Sequence, residues 1–172
     1  YNSEMSTMIV ETTEQTWKKA GMEKASEDET VAYVSNLYAD LLDGHPIITN
    51  RSVWRNFPMI RCETWVKDNL VIMGDCAHTA HYSIGSGTKL AMEDAIALFE
   101  CCKQEANPRE ALKLYDASRR DEVERTQHAA DVSLSWFENV RRYWGMDPVQ
   151  FNFSLMSRSK AITYDNLRLR DR

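Results

Sequence analysis

The sequence has no long apolar run and is poor in cysteine, proline and glycine. No stretch approaches the ~20 consecutive apolar residues that a membrane helix needs, and no signal-peptide pattern is recognisable, so we expect neither feature. The four cysteines form no C-x-x-C pair and have no regular spacing. They predict reduced thiols in a cytoplasmic protein and not a disulfide framework.

An excess of positive charge is also missing. Lysine and arginine number 21 against 26 aspartates and glutamates, for a net charge of −5, so we expect no nucleic-acid partner. The 43% hydrophobic and 27% charged residues in a chain of 172 are typical of one globular domain. Because the first residue is Tyr1 and not Met, we interpret the chain as a segment of a longer protein.

Apolar periodicity predicts strands in the first half of the chain. We expect a strand over Ser6–Val10 and several strands between Ile47 and Met73, with a turn at Asp68-Asn69. The last strand, Leu70–Met73, is short and continuously apolar, which is typical of a strand buried on both faces.

Helices are predicted from capping residues and helical spacing. The helix from about Ser86 to Cys102 is apolar almost all round, so we expect it to be buried. A helix from Asn107-Pro108 to Tyr143 or Trp144 would be long enough to predict a bend or break near Ser133–Ser135. Other helices should begin after Thr13, after a capping box at Ser26–Glu29 and after Asp147-Pro148.

The segment from Leu70 to Asp94 has the pattern of a ligand site. A predicted strand ends at Gly74-Asp75, and a loop with Gly85 and Gly87 leads into a helix. Ligands of open α/β sheets lie beyond the carboxyl ends of the strands, so Asp75 should accept hydrogen bonds from sugar-like hydroxyls. The glycines allow close backbone approach, and the free amides at the helix start would stabilise negative charge.

A G-x-G before a helix is weak by itself, but the whole string is more specific. Gly74-Asp75-Cys76-Ala77-His78, Gly85-x-Gly87 and Glu93-Asp94-Ala95 resemble the GD flavin motif of FAD-dependent aromatic-ring monooxygenases of the p-hydroxybenzoate hydroxylase type. The stretch His81–Ala95 is most similar to members that act on salicylyl-CoA or 2-aminobenzoyl-CoA. The similarity extends over nearly the whole chain.

The resemblance implies roles for individual positions. Asp75 would hold a ribityl hydroxyl of FAD, and the amides around Gly87 and Thr88 would point at the flavin pyrimidine carbonyl. His81 and Tyr82 would lie on the substrate side of the flavin, while no catalytic or metal-binding residue is assigned. The implied cofactor-binding residues are Gly74, Asp75, Gly85, Ser86, Gly87, Thr88 and Lys89.

Two positions depart from the family pattern, and one motif is missing. Tyr82 replaces a family Pro, so substrate contacts do not transfer from better-known members. Lys89 replaces a family Asn, and we interpret it as a partner of Glu93 four residues on, with a flavin contact as the alternative. The family's G-x-G-x-x-G, which receives the dinucleotide phosphates, is not in the chain. We therefore expect the segment alone to bind flavin weakly or not at all.

The implied fold is α/β, or α+β within this segment: the C-terminal part of a Rossmann-like FAD-binding domain with a few substrate-sheet strands and long C-terminal helices. Residues 1–60 would end the substrate-binding sheet, 61–104 would hold the flavin motif, and 105–172 would be the helical region. The implied function is hydroxylation or epoxidation of an aromatic acyl-CoA by a cytoplasmic enzyme with FAD, NAD(P)H and O2. Besides the substrate, the implied partners are the N-terminal half of the same FAD domain and a second copy in a homo-oligomer, with no membrane.

Three other functions stay open on the sequence. Asp75, Cys76, His78 and His81 would offer a metal-dependent hydrolase four ligands within seven residues. Cys76 with His78 would offer a nucleophile pair. The C-terminal helices would form a non-catalytic interaction module if their aromatic residues made a docking surface; these are Trp136, Phe137, Tyr143 and Trp144.

Overall fold

The computed structural model describes residues 2–170 of the chain, except for the side chain at position 170. These residues form two compact units that divide between Asn56 and Phe57, and each unit is described by itself. The structure is predominantly helical with one small sheet, in agreement with an α+β segment. The predicted helical region 105–172 extends two residues past the described part. None of the described helices combines the length and apolarity of a membrane span.

The first unit contains three short helices: α1 (Glu14–Lys19), α2 (Glu27–Leu37) and α3 (Ala39–Leu42). The predicted caps are confirmed, because the Thr13 hydroxyl accepts a hydrogen bond from the Thr16 amide and Ser26 forms both bonds of a capping box with Glu29. The strand predicted over Ser6–Val10 is wrong. A strand needs a neighbour for its hydrogen bonds, and residues 2–56 contain no strand that pairs with this stretch.

The second unit begins with a hairpin. β1 (Val66–Lys67) pairs antiparallel with β2 (Leu70–Val71), and Asp68 in the intervening turn has φ +56°, which confirms the predicted turn. Single 3-10 turns follow at Gly74–Cys76, Tyr82–Ile84 and, later, Val140–Tyr143. The helices of this unit are α4 (Gly87–Gln104), α5 (Pro108–Glu138), α6 (Pro148–Met156) and α7 (Tyr164–Arg170).

The other strands predicted between Ile47 and Met73 are wrong. In residues 2–170, pairing beyond the hairpin is limited to one bridge between Arg61 and His78. Leu70 is 70% exposed, so the strand expected to be buried on both faces is one arm of a two-stranded hairpin. The apolar residues favour strands, but strand formation also requires a partner chain alongside.

Helix α4 is buried on one side only. It packs against α5 and the Gly74–Cys76 turn, and its buried residues are Leu90, Asp94 and Cys101. The burial predicted for its whole circumference is therefore wrong, because these neighbours leave the opposite side open. Three large apolar residues on that side are between 61 and 62% exposed: Met92, Ile96 and Phe99.

Helix α5 is a single helix of 31 residues. Its predicted start is confirmed, since Asn107 Oδ1 accepts a hydrogen bond from the Arg109 amide at 3.0 Å and Pro108 is the first helical residue. The break predicted near Ser133–Ser135 is wrong, because the helix continues to Glu138.

The core of the second unit lies between the hairpin, α4 and α5. Its apolar members include Trp65, Leu90, Tyr115 and Val123. A polar contact crosses this core, because Gln127 of α5 donates from Nε2 to the carbonyls of Ile60 at 2.9 Å and Thr79 at 2.7 Å. One buried amide thus attaches two parts of the preceding chain to α5.

We expect the variant Gln127→Met to lower the free energy of unfolding by about 2–3 kcal/mol. The thioether keeps the length of the side chain but leaves the buried Thr79 carbonyl without its donor. The Ile60 carbonyl loses one of two donors, since it still accepts from the Thr79 amide at 3.0 Å. Urea denaturation followed by circular dichroism measures the loss. The matched control is Gln104→Met at the exposed end of α4, which should stay within about 0.5 kcal/mol of the parent. Equal losses in the two variants would contradict this role of Gln127.

Candidate functional site

A buried carboxylate, Asp94 of α4, lies at the centre of the site. It accepts hydrogen bonds from the Gly74 amide at 2.9 Å, from His78 Nε2 at 2.7 Å and from Arg119 Nε at 3.0 Å. The Asp94 side chain is 0% exposed, that of His78 is 2% exposed and that of Arg119 is 11% exposed. Asp94 therefore joins the turn after β2 to both long helices.

The hydrogen bonds to Asp94 determine its ionisation. Burial raises the pKa of this carboxyl, because the charged form loses its hydration. The hydrogen bonds from His78, Gly74 and Arg119 oppose burial and together hold the pKa of Asp94 below its usual value. Asp94 is thus an ionised acceptor whose charge is balanced by Arg119. Burial, followed by the charge of Asp94, raises the pKa of the nearby Tyr115, so its phenol stays protonated.

Gly74 is required by the backbone and by packing. Its φ of +58° lies in the left-handed region that side chains rarely adopt. A Cβ added to Gly74 would lie 3.2 Å from the Cβ of Ala91 on α4. The absence of a side chain therefore lets the turn approach the helix closely enough for the Gly74 amide to reach Asp94.

We expect Gly74→Ala to be more destabilising than Gly85→Ala. Both glycines have positive φ, which costs an alanine about 1–2 kcal/mol. Of the two, only Gly74 has a neighbour that its added methyl group would meet. The resulting overpacking should lower the free energy of unfolding of Gly74→Ala by about 1 kcal/mol more. Denaturant unfolding of the two variants measures the difference. Equal free energies of unfolding would contradict the contact with Ala91. Gly74→Ala combined with Ala91→Gly should lose less stability than the sum of the two single variants, because a glycine inside α4 has its own cost.

Asp75 is exposed directly after this fixed glycine. The Gly74 carbonyl accepts hydrogen bonds from the amides of Ala77 and His78, both at 2.9 Å, which closes the turn around Asp75. The backbone of Asp75 is thus held in place while its carboxylate is open at the surface. A carboxylate in this position can accept hydrogen bonds from the hydroxyls of a ligand.

The first turn of α4 has no side-chain cap. Ser86 occupies the N-cap position, but its hydroxyl donates to the Ile84 carbonyl at 3.4 Å and accepts from no helix amide. Gly85, with φ +65°, has open space where a side chain would be. The amides that begin with Gly87 and Thr88 can therefore bind an anionic group, and the dipole of this 18-residue helix favours one there.

Lys89 has a partner on the same helix. Its ammonium group forms an ion pair with Glu93, which confirms the interpretation of Lys89 as an i,i+4 partner. Glu93 also contacts Arg119 at 3.3 Å. The Lys89 hydrogen bond is the main cause that lowers the pKa of Glu93, with a smaller contribution from Arg119. The flavin contact predicted for Lys89 stays a prediction.

The two predicted substrate-side residues lie together in an aromatic cluster. The rings of His81 and Tyr82 stack with centroids 4.4 Å apart, and Phe57 meets them edge-on at 5.3 and 5.5 Å. His81 is buried, whereas Tyr82 is 38% exposed. The sequence did not single out Phe57, which becomes recognisable only through this contact.

Comparison with known proteins identifies the family. The FAD binding domain family matches residues 2–130, which is most of the chain. The chain belongs to this FAD-binding domain family. The membership confirms the resemblance that the GD string indicated, and it places the Gly74–Asp94 site within the matched region.

The chain is also similar to proteins that are named as hydroxylases or monooxygenases. The chain is 43% identical to salicyloyl-CoA 5-hydroxylase of a Streptomyces species, over 97% of the chain and 34% of that protein. It is 44% identical to 3-hydroxy-4-methyl-anthranilyl-[aryl-carrier protein] 5-monooxygenase of Streptosporangium sibiricum, over 63% and 31%. It is 31% identical to protodeoxyviolaceinate monooxygenase of Chromobacterium violaceum, over 94% and 44%. The chain therefore covers about a third of the length of the first two relatives and less than half of the third.

The metal and nucleophile alternatives do not fit this geometry. In the part of the chain that the structure describes, no three His, Cys, Asp or Glu side chains converge as a metal site. His78 is buried against Asp94, while Asp75 and Cys76 are exposed. The pattern of ligand types is thus present in the sequence, but the FAD-binding domain uses its histidine to hold Asp94.

The proposed aromatic docking surface is largely internal. Trp136 is 6% exposed and stacks on Tyr143 with ring centroids 4.9 Å apart, and Phe137 lies under the guanidinium of Arg158. Only Trp144, at 77%, is widely exposed among these four residues. Most of these aromatics therefore pack the C-terminal helices of this chain against one another.

Sequence reasoning missed two polar residues that organise the site, Arg119 and Gln127. Both lie on the buried face of α5, four residues on either side of Val123. A polar residue at a core position of an amphipathic helix requires a buried partner. That irregularity in the helical pattern is the signal that would have identified them.

Proposed function

We propose that this chain is the later part of a Rossmann-like FAD-binding domain in a flavin-dependent monooxygenase. One observation supports this proposal: the chain has both an exposed carboxylate, Asp75, on a turn held by Asp94 and a helix, α4, whose first turn has no side-chain cap. One group accepts hydrogen bonds from hydroxyls and the other donates them to an anion. These are the two kinds of contact needed by the sugar alcohol chain of a flavin and by its ring, which gains negative charge on reduction.

The residues present fit FAD. Asp75 would accept from a ribityl hydroxyl, and Gly74 and Gly85 would let the cofactor approach the backbone. The amides near Gly87 and Thr88 would donate to the flavin pyrimidine carbonyl. When bound, FAD supplies the redox chemistry with NAD(P)H and O2, and the protein supplies binding, orientation and charge placement.

An aromatic acyl thioester is the substrate class that we propose. Two of the relatives are named for aromatic acyl groups carried on CoA or on an aryl-carrier protein. In this chain, His81 and Tyr82, which come shortly before α4 in the sequence, form an aromatic cluster with Phe57. Their rings would contact the aromatic ring of the substrate, whose hydroxylation or epoxidation is the proposed reaction.

The site in this chain is one part of the proposed FAD site. No G-x-G-x-x-G is present to receive the dinucleotide phosphates, and the chain covers 34% of salicyloyl-CoA 5-hydroxylase. We propose that the phosphate-binding half of the domain is a further segment of a longer, cytoplasmic protein. A homo-oligomer is likewise proposed.

The test is a flavin titration and a turnover assay on the longest open reading frame that encodes this chain. We expect stoichiometric FAD binding, NAD(P)H oxidation stimulated by salicylyl-CoA or 2-aminobenzoyl-CoA, and a product heavier by one oxygen atom. Free salicylate is the control for the thioester. A protein that binds no flavin would refute the proposed function, whereas flavin binding with turnover of free acids alone would refute the thioester class.

A further inference from the structure

Arg158, two residues after the end of α6, joins three separate parts of the second unit. Its Nη2 donates to the Ser83 carbonyl at 2.6 Å, and its Nε donates to Ser133 Oγ of α5 at 2.9 Å. Its Nη1 donates to the Leu155 carbonyl of α6 at 2.8 Å. All three guanidinium nitrogens are therefore used, and each anchors a different segment.

The surroundings of Arg158 indicate that it holds neighbouring segments in place and does not serve as one half of an ion pair. Its guanidinium lies 5.0 Å from the centroid of the Phe137 ring, a cation–π contact. None of the described carboxylates is within ion-pair distance of it. A planar fork that donates in three directions fixes geometry in a way that a single ammonium group cannot.

The Ser83 carbonyl lies in the short segment that leads into α4, so a hydrogen bond to it affects the path of the chain into the helix. It belongs to the 3-10 turn Tyr82–Ile84, which is followed directly by Gly85 with φ +65°. Only Ser86 then separates this glycine from the first residue of α4. Because Ser86 provides no side-chain cap, the anchor at Ser83 restricts how the loop enters the helix.

We infer that Arg158 is a positioning residue for the flavin site: it holds the Tyr82–Ser86 loop so that the first amides of α4 face the cofactor. The inference rests on the proposed function. Arg158 acts through the loop and touches no cofactor atom itself. It thereby connects the C-terminal helices, which lie outside the motif, to the place where flavin charge is stabilised.

The reduced cofactor should depend on this loop more than the oxidised one. Reduction places negative charge near the pyrimidine ring, and helix-start amides stabilise anions more than neutral groups. Displacing these amides would therefore weaken binding of reduced FAD selectively. A tenfold selective loss corresponds to a two-electron reduction potential about 30 mV lower.

The test compares Arg158→Met, Arg158→Lys and the parent, each in the full-length protein loaded with FAD. The measurements are the affinity for oxidised FAD and the reduction potential of the bound flavin. We expect Arg158→Met to lower the potential by about 30 mV with less than a threefold change in oxidised-FAD affinity. Arg158→Lys keeps the charge and one donor for the Ser83 carbonyl. Its flavin reduction potential should therefore lie between that of the parent and that of Arg158→Met.

The control is Arg142→Met, which removes an exposed arginine from the same region and should leave the potential unchanged. An unchanged potential in Arg158→Met, or equal weakening of both redox forms, would overturn the inference. If Arg158→Met does not fold, Arg158→Lys and Ser133→Ala, which removes the acceptor of Arg158 Nε, replace it. An unchanged reduction potential in both of these variants would then overturn the inference. A parent protein that binds no FAD would refute the proposed function instead, which distinguishes the two failures.

Discussion

The Asp94→Asn variant should lose about 3–5 kcal/mol of its free energy of unfolding, the largest stability effect we expect from a single change in this chain. The substitution keeps the shape of the side chain but removes the charge that balances the mostly buried Arg119. It also replaces one carboxylate oxygen by an amide donor, although all three partners are donors. Guanidinium denaturation followed by circular dichroism measures the loss.

The pH dependence of stability should change in the same variant. Because the folded state holds the pKa of Asp94 below its usual value, the carboxylate stabilises the fold above the unfolded pKa of ~3.9. That contribution is lost as pH falls through the lower folded pKa. The difference in stability between parent and Asp94→Asn should therefore be constant near neutral pH and shrink below about pH 4.

Glu93→Gln is the matched control for Asp94→Asn. The two acids are neighbours and both contact Arg119, but the Glu93 side chain is 31% exposed and that of Asp94 is 0% exposed. Solvent partly screens the half-buried Glu93, so Glu93→Gln should cost less than about 1 kcal/mol. Equal losses at the two positions would show that Asp94 is not the centre of the cluster.

The Asp75→Asn variant should bind FAD about 10- to 100-fold more weakly while keeping its stability. Hydrogen bonds to a charged acceptor contribute about 1.5–3 kcal/mol, and 1.4 kcal/mol corresponds to a factor of ten. Asp75 is exposed and no hydrogen bond from its side chain holds the fold among the described residues. The free energy of unfolding without flavin should therefore change by less than about 0.5 kcal/mol.

Asp121→Asn on α5 is the control for Asp75→Asn. Its side chain is 83% exposed, and the same change of charge occurs away from the GD turn. FAD titration by fluorescence in the full-length protein should show parent-like affinity for Asp121→Asn. Parent-like affinity in Asp75→Asn as well would remove Asp75 from the cofactor site and leave the start of α4 as the remaining contact.

Local signals in the sequence predicted the helices well. The capping box at Ser26, the Asn107-Pro108 start and the turn at Asp68 are formed by residues close together in the chain, and each is confirmed. The GD string identified the family for the same reason, because its residues are contiguous and their spacing is characteristic.

Features that depend on distant neighbours were not predictable in this way. The apolar run at Leu70 was interpreted as a doubly buried strand, yet burial and pairing depend on which other segments lie beside it. Likewise, α4 has apolar residues such as Ile96 on a side that neither α5 nor the turn covers. Composition shows which residues favour burial, but not which residues have a partner.

The candidate site shows the same division. Gly74, Asp75 and the start of α4 follow from the motif. Arg119 is 25 residues from Asp94 in the chain, and no short pattern connects them. His78 was considered as a possible ligand in the sequence, whereas its Nε2 is occupied by Asp94. Only the packing of α4 on α5 reveals that relation.

The Asp94–Arg119 contact also limits how this domain can be recombined. A graft that transferred only the residues from Leu70 to the end of α4 into another scaffold would carry the entire recognisable motif. It would also bury a negative charge without the guanidinium that neutralises it. Chimeras between relatives should therefore exchange the GD segment together with α5, at least through Arg119, because the two segments form one electrostatic module.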